Sequence, residues 1–110
     1  MCIACEKGYI AIVKYLIEHS VDINKQDNYG SNPLFASCYN GHITMVKYLV
    51  EHGTNINTES NIGYNPLFCA SHKGYISVVK YLVEHGANIH KINDMVKPHY
   101  LLHVIMDIPL

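Results

Sequence analysis

The chain repeats itself every 33 residues, and no other feature constrains its fold as strongly. Tyr15-Leu16-Ile17-Glu18-His19-Ser20 returns as Tyr48-Leu49-Val50-Glu51-His52-Gly53 and again as Tyr81-Leu82-Val83-Glu84-His85-Gly86. Gly8, Gly41 and Gly74 keep the same step, as do Gly30 and Gly63, Asn32 and Asn65, Pro33 and Pro66, Leu34 and Leu67. Self-similarity at a fixed period marks units that cannot bury their own apolar face and must stack on their neighbours. Extended stacked surfaces of this kind serve mostly to hold other macromolecules.

At 110 residues, 49% hydrophobic and 15% charged, the sequence suits one soluble domain with a modest core. A formal net charge of -1 supplies no field for drawing in nucleic acid or an anionic membrane. Every basic residue is lysine, so the bidentate grip of a guanidinium on guanine or phosphate is missing. No apolar run approaches the ~20 residues of a membrane span, and no signal-peptide order is present. Cys2, Cys5, Cys38 and Cys69 are too few and too repeat-like for a disulfide framework. An intracellular, cytoplasmic setting is expected, with the nucleus possible.

The middle repeat is the most complete. Asp27-Asn28-Tyr29-Gly30 is a turn signal. Asn32 followed by Pro33 predicts a helix start, with Asn as N-cap and Pro pre-set at the first helical position. A short helix over Pro33 to Tyr39 follows, with small residues that would let the next repeat approach closely. Asn40-Gly41 stops it. The second helix is expected from about Ile43 to His52, with Val46, Leu49 and Val50 on one apolar face. Gly53 suits the left-handed position that ends helices, and Thr54 to Asn57 is an extended connector.

Those motifs carry a family likeness. Gly30-Ser31-Asn32-Pro33-Leu34-Phe35, Ser37-Cys38, Gly41-His42, Val46..Leu49-Val50 and Gly53-Thr54-Asn55-Ile56-Asn57 resemble the ankyrin repeat. The third repeat matches again through Gly63-Tyr64-Asn65-Pro66-Leu67-Phe68, Ala70-Ser71, Gly74-Tyr75 and Gly86-Ala87-Asn88-Ile89. The resemblance implies an all-α solenoid of stacked helix-turn-helix units with β-turn fingers. It spans a truncated repeat (1–26), two full repeats (27–59 and 60–92) and a degenerate partial repeat or cap (93–110), in a single domain. Asn replaces Thr, and Phe replaces His, in the family's Thr-Pro-Leu-His element. Asn can still cap, and Phe35 is expected to stack on Phe68. The first repeat starts inside its first helix, without turn, N-cap or Pro. At the other end Tyr100 to Met106 reads as a lone apolar helix stopped by Pro109. The stack is therefore expected to be part of a longer repeat array; the alternative is that the last helix folds back as an improvised cap.

Several constellations invite chemistry and are better read as structure. His19, His52 and His85 each sit where an imidazole faces a helix C-terminus favourably. As rungs of a stack they stand ~8–10 Å apart, too far to share a metal. Cys2-x-x-Cys5 lacks a second such pair, and its cysteines fall on packing positions. Lys14/Glu18, Lys47/Glu51 and Lys80/Glu84 are i, i+4 pairs on a solvated face. No catalytic, cofactor or metal site is expected. Asn24 also resembles the position at which some ankyrin proteins are hydroxylated; an Asn bonding the adjacent turn is the simpler reading.

In ankyrin arrays the turn tips and the exposed side of the first helices take the partner. The matching positions here are Asn28, Tyr29, Ser31, Tyr39 and Asn40, then Asn61, Ile62, Tyr64, His72 and Lys73, with Glu6 and Lys7 from the broken first repeat. Tyrosine as rigid anchor and asparagine as adaptable hydrogen-bonder suit protein recognition. The expected function is a non-catalytic protein–protein interaction module, with a protein partner rather than nucleic acid or membrane. The alternatives are a targeting or regulatory arm of a larger enzyme, and a purely structural spacer.

Overall fold

The computed structural model describes residues 2–89, the side chain of Cys2 excepted. Six helices follow in order: α1 Cys2–Lys7, α2 Ile10–Glu18, α3 Pro33–Tyr39, α4 Ile43–Glu51, α5 Pro66–Lys73 and α6 Ile76–Glu84. Among the described residues there is no strand. Met1 and the segment 93–110, with the expected helix from Tyr100 to Met106, lie outside the described residues.

Each helix start and stop has a local cause. Asn32 accepts a hydrogen bond from the Phe35 N–H at 2.9 Å, and Asn65 from the Phe68 N–H at 2.8 Å, each followed by Pro at the first helical position. The side chain thus satisfies an orphan donor that the helix itself cannot. At the far end of α3 the Asn40 amide donates to the Ala36 carbonyl at 2.9 Å. The second helices end one residue earlier than expected, at Glu18, Glu51 and Glu84, with His19, His52 and His85 as C-caps.

A paired hydrogen-bond motif then closes each of these ends. The Gly53 N–H donates to the Val50 carbonyl at 3.2 Å, and the Thr54 N–H to the Leu49 carbonyl at 3.2 Å. Such a closure puts the residue after the cap in the left-handed region, which glycine enters without strain. Gly53 does so at φ 89°, but the first repeat places Ser20 there at φ 67°.

The core is the seam between helix pairs. Val13, Leu34, Val46, Leu49, Leu67, Val79 and Leu82 are fully buried, together with Cys5, Cys38 and Ala70. Their small neighbours let α1, α3 and α5 pack closely in one row, whereas α4 and α6 approach each other less closely. A stack tight on one row and loose on the other curves, with the first helices and fingers on its inner side. Ser71 holds the register of Cys38, and its buried hydroxyl has no partner among the described residues.

Two changes test this frame. Leu49→Ala removes a fully buried side chain from the seam and should cost ~2–5 kcal/mol in a denaturant titration. Ser20→Gly should instead raise stability by ~0.5–1 kcal/mol, because it relieves a left-handed side chain and loses part of that gain to a looser unfolded chain. A lower denaturation midpoint for Ser20→Gly would show that the φ at this position carries no strain.

Candidate protein-binding face

The inner edge is built from two rigid fingers. In the first, the Asp27 N–H donates to the Ser31 carbonyl at 2.8 Å, and the Gly30 N–H to the Asp27 carbonyl at 3.0 Å. The Asp27 carboxylate accepts from the N–H groups of Tyr29 and Ser31 at 2.8 and 3.0 Å, which locks the turn. In the second finger Ser60 takes that place. Its N–H donates to the Tyr64 carbonyl at 2.8 Å, and its hydroxyl accepts from the Tyr64 N–H at 3.2 Å.

The fingers are bound to each other. The Asn61 N–H donates to the Tyr29 carbonyl at 2.9 Å, and the Asn61 amide donates to the Asn28 carbonyl at 2.8 Å. Gln26, which sequence reasoning passed over, donates to the carbonyls of Gly30 and Glu59 at 2.6 and 3.2 Å. This close approach explains Gly30. A Cβ there would lie 2.7 Å from the Asn61 backbone nitrogen, at φ 80°.

Onto this frame the structure places the expected positions unevenly, with Glu6 and Lys7 exposed on α1. Tyr29 and Ile62 project from adjacent tips with 77% and 71% of their surface exposed. Asn28 and Asn61 are exposed, but the Asn28 carbonyl and the Asn61 amide are committed to each other. Ser31 is half-buried and its N–H is held by Asp27. Tyr64 is half-buried too, its ring 4.3 Å from that of Phe68. On the first helices Tyr39, His72 and Lys73 are exposed and Asn40 is half-buried. The Lys73 ammonium stands 4.5 Å from the Tyr39 ring centre, a cation–π contact between repeats. His72 stacks on Phe68 at 5.7 Å. The expected Phe35–Phe68 stack does not form among the described residues; Phe68 takes Tyr64 and His72 of its own repeat instead.

Ile3 also belongs to this face and was missed, with 69% of its surface exposed. Its register is that of Ala36 and Cys69, so a large side chain at a small-residue position was the signal available.

The outer side is engaged with itself. The Nδ1–H of His19, His52 and His85 donates to the carbonyl of Tyr15, Tyr48 and Tyr81, each at 2.8 Å, and each imidazole stacks on that tyrosine at about 4 Å. Lys14 and Lys47 do not pair with Glu18 and Glu51. They reach across to the next repeat, 5.4 Å from the Tyr48 ring and 5.9 Å from the Tyr81 ring. Burial, and next the Glu51 carboxylate, push the Tyr81 phenol above its ordinary value.

The buried thiols are poorly suited to act as nucleophiles. Burial raises the Cys69 thiol to about 12, and burial followed by the neighbouring Cys69 raises Cys38 well above the ordinary range. Both are therefore protonated, weakly nucleophilic thiols. Among the described residues no cluster of three or more His, Cys, Asp or Glu could hold a metal. No described helix is long and apolar enough to cross a membrane. Asn24 bonds the adjacent loop: its side-chain oxygen accepts from the Asn55 N–H at 2.7 Å, and Asn57 repeats this toward Asn88 at 2.8 Å.

A family model of ankyrin repeats in three copies matches residues 1–93. A search of curated proteins returns no match.

The two finger tyrosines should separate in a thermal or denaturant titration. Tyr29→Ala should change stability by less than ~0.5 kcal/mol, as an exposed tip does. Tyr64→Ala loses its stack on Phe68 and part of its buried area, and should cost ~1–2 kcal/mol. Equal losses would contradict the different burial of the two rings.

Proposed function

The chain belongs to the ankyrin repeat family, and we propose that it is a non-catalytic interaction module that takes a protein partner on its concave face. Ankyrin repeats are generally protein–protein interaction modules. The observation that carries the reading for this chain is the pair Tyr29 and Ile62. Two large, mostly exposed side chains stand side by side on turns fixed by hydrogen bonds. A rigid anchor surrenders little conformational freedom on binding, so more of its buried area is converted into affinity. Tyr39 and Lys73 extend the surface along the first helices.

We place the partner among proteins rather than nucleic acids or membranes, in keeping with a net charge of -1. The cytoplasm, or the nucleus, suits the free thiols of Cys38 and Cys69. Membership of a longer array is part of the same proposal. Asn28 holds the register of Asn61, and its own N–H and amide make no bond among the described residues, so it can receive a preceding finger as Asn61 receives Tyr29.

Photo-crosslinking tests the face. Tyr29→p-benzoylphenylalanine and Ile62→p-benzoylphenylalanine should yield adducts with a discrete protein in cell extract, while Ile12→p-benzoylphenylalanine on the outer helix should not. Tyr29→Ala with Ile62→Ala should then weaken that complex at least fivefold, or ~1 kcal/mol or more. Equal adducts from position 12 would move the binding surface to the outer side.

A further inference from the structure

Between the first and second repeats the concave face holds an open groove, and its lining differs from the rest of that face. Ile3 and Phe35 supply apolar surface, and Tyr39 supplies an aromatic wall. Of the polar groups around them, Ser31 and Asn40 are neutral and the two charged ones, Glu6 and Asp27, are both carboxylates. Glu6 is exposed, and its carboxylate makes no bond among the described residues. Asp27 spends one carboxylate oxygen on the finger and keeps the other. Asn40 spends one amide N–H on the Ala36 carbonyl and keeps its oxygen and its second N–H.

Two carboxylates, with no lysine or histidine among the lining residues, call for a ligand that brings positive charge and its donors. The apolar floor calls for a hydrocarbon stem beneath that charge. The Lys73 ammonium lies over the Tyr39 ring and does not line the groove.

We propose that this groove takes a lysine or arginine side chain of the partner protein, its stem against Ile3 and Phe35 and its charged head between Glu6 and Asp27. The proposal rests on the protein-binding reading above and narrows it to a partner that presents a cationic residue beside an apolar one. Charge of the wrong sign is repelled at the same rim, so the groove selects as well as binds.

The test compares two isosteres. N-acetyl-leucyl-arginine amide and N-acetyl-leucyl-citrulline amide differ in charge and scarcely in shape. Each is titrated into the 110-residue chain while backbone amide resonances are followed. The arginine compound should shift Ile3, Glu6, Phe35 and Tyr39 and bind at least tenfold more tightly than the citrulline compound. Glu6→Gln, an exposed change that should leave the melting temperature in place, should remove most of that preference. Equal binding of the two compounds would reduce the groove to an apolar surface and overturn the proposal. Shifts confined to Tyr29 and Ile62, or no shifts at all, would also overturn it. Neither result touches the binding-face reading, which stands or falls on the crosslinks from positions 29, 62 and 12.

Discussion

Asn32 and Asn65 each turn a side-chain oxygen onto the N–H three residues ahead, and the placement of the remaining elements follows from that helix start. The cap fixes where α3 and α5 begin, and so which residues of each helix face the neighbouring repeats. Leu34 and Leu67 then fall into the seam, and the fingers are carried to the inner edge. The same side chain recurs in two other jobs. Asn24 and Asn57 accept from the loop of the next repeat, and Asn61 donates to the finger of the previous one. A short carboxamide offers acceptor and donor on one rigid group, which suits it to joining backbone segments that have no ladder to share.

Much of the fold was legible because it obeys local rules. The start of α3 at Pro33, the burial of Leu49 and the left-handed Gly53 follow from capping, periodicity and closure chemistry within one repeat. What escaped the sequence lies between repeats. Lys14 and Lys47 have a carboxylate four residues away on their own helix, the arrangement that helix rules recognise. They choose instead a tyrosine on the next repeat, whose ring is already held flat by histidine stacking. An exposed ion pair stabilises little, so a pre-positioned ring face can outcompete it.

The candidate face shows the same division. The exposure of Tyr29 and Ile62 could be read from their place in the turn, but the different fate of Tyr64 could not. Ser31 and Tyr64 share one register, and only the larger side chain stacks on the phenylalanine four residues on, Phe68 in its repeat. The groove beside Ile3 was hidden for a related reason. Its lining joins the first and second repeats, and its acidic character depends on the fold bringing Glu6 of one repeat beside Asp27 of the next, with one Asp27 oxygen already used by the finger.

Some of the bonds that tie repeat to repeat are themselves periodic. Asn24 meets the second loop as Asn57 meets the third, and Gln26 spans the same step between the fingers. A stack held by repeated loop rungs on one side and by the Gln26 and Asn61 bonds on the other resists sliding by one or two residues, since all of them would break together. It has less defence against a slip of one whole repeat, where the loop rungs find equivalent partners and the Gln26 bond, whose register-mate is Glu59, does not. The wrong assemblies open to this chain are therefore quantised in steps of a full unit, and they can form between molecules as readily as within one. Exchange of repeats between copies during folding is the hazard that such regularity carries, and the differences among the three units, Ser20 and Ile3 among them, are what distinguish one register from the next.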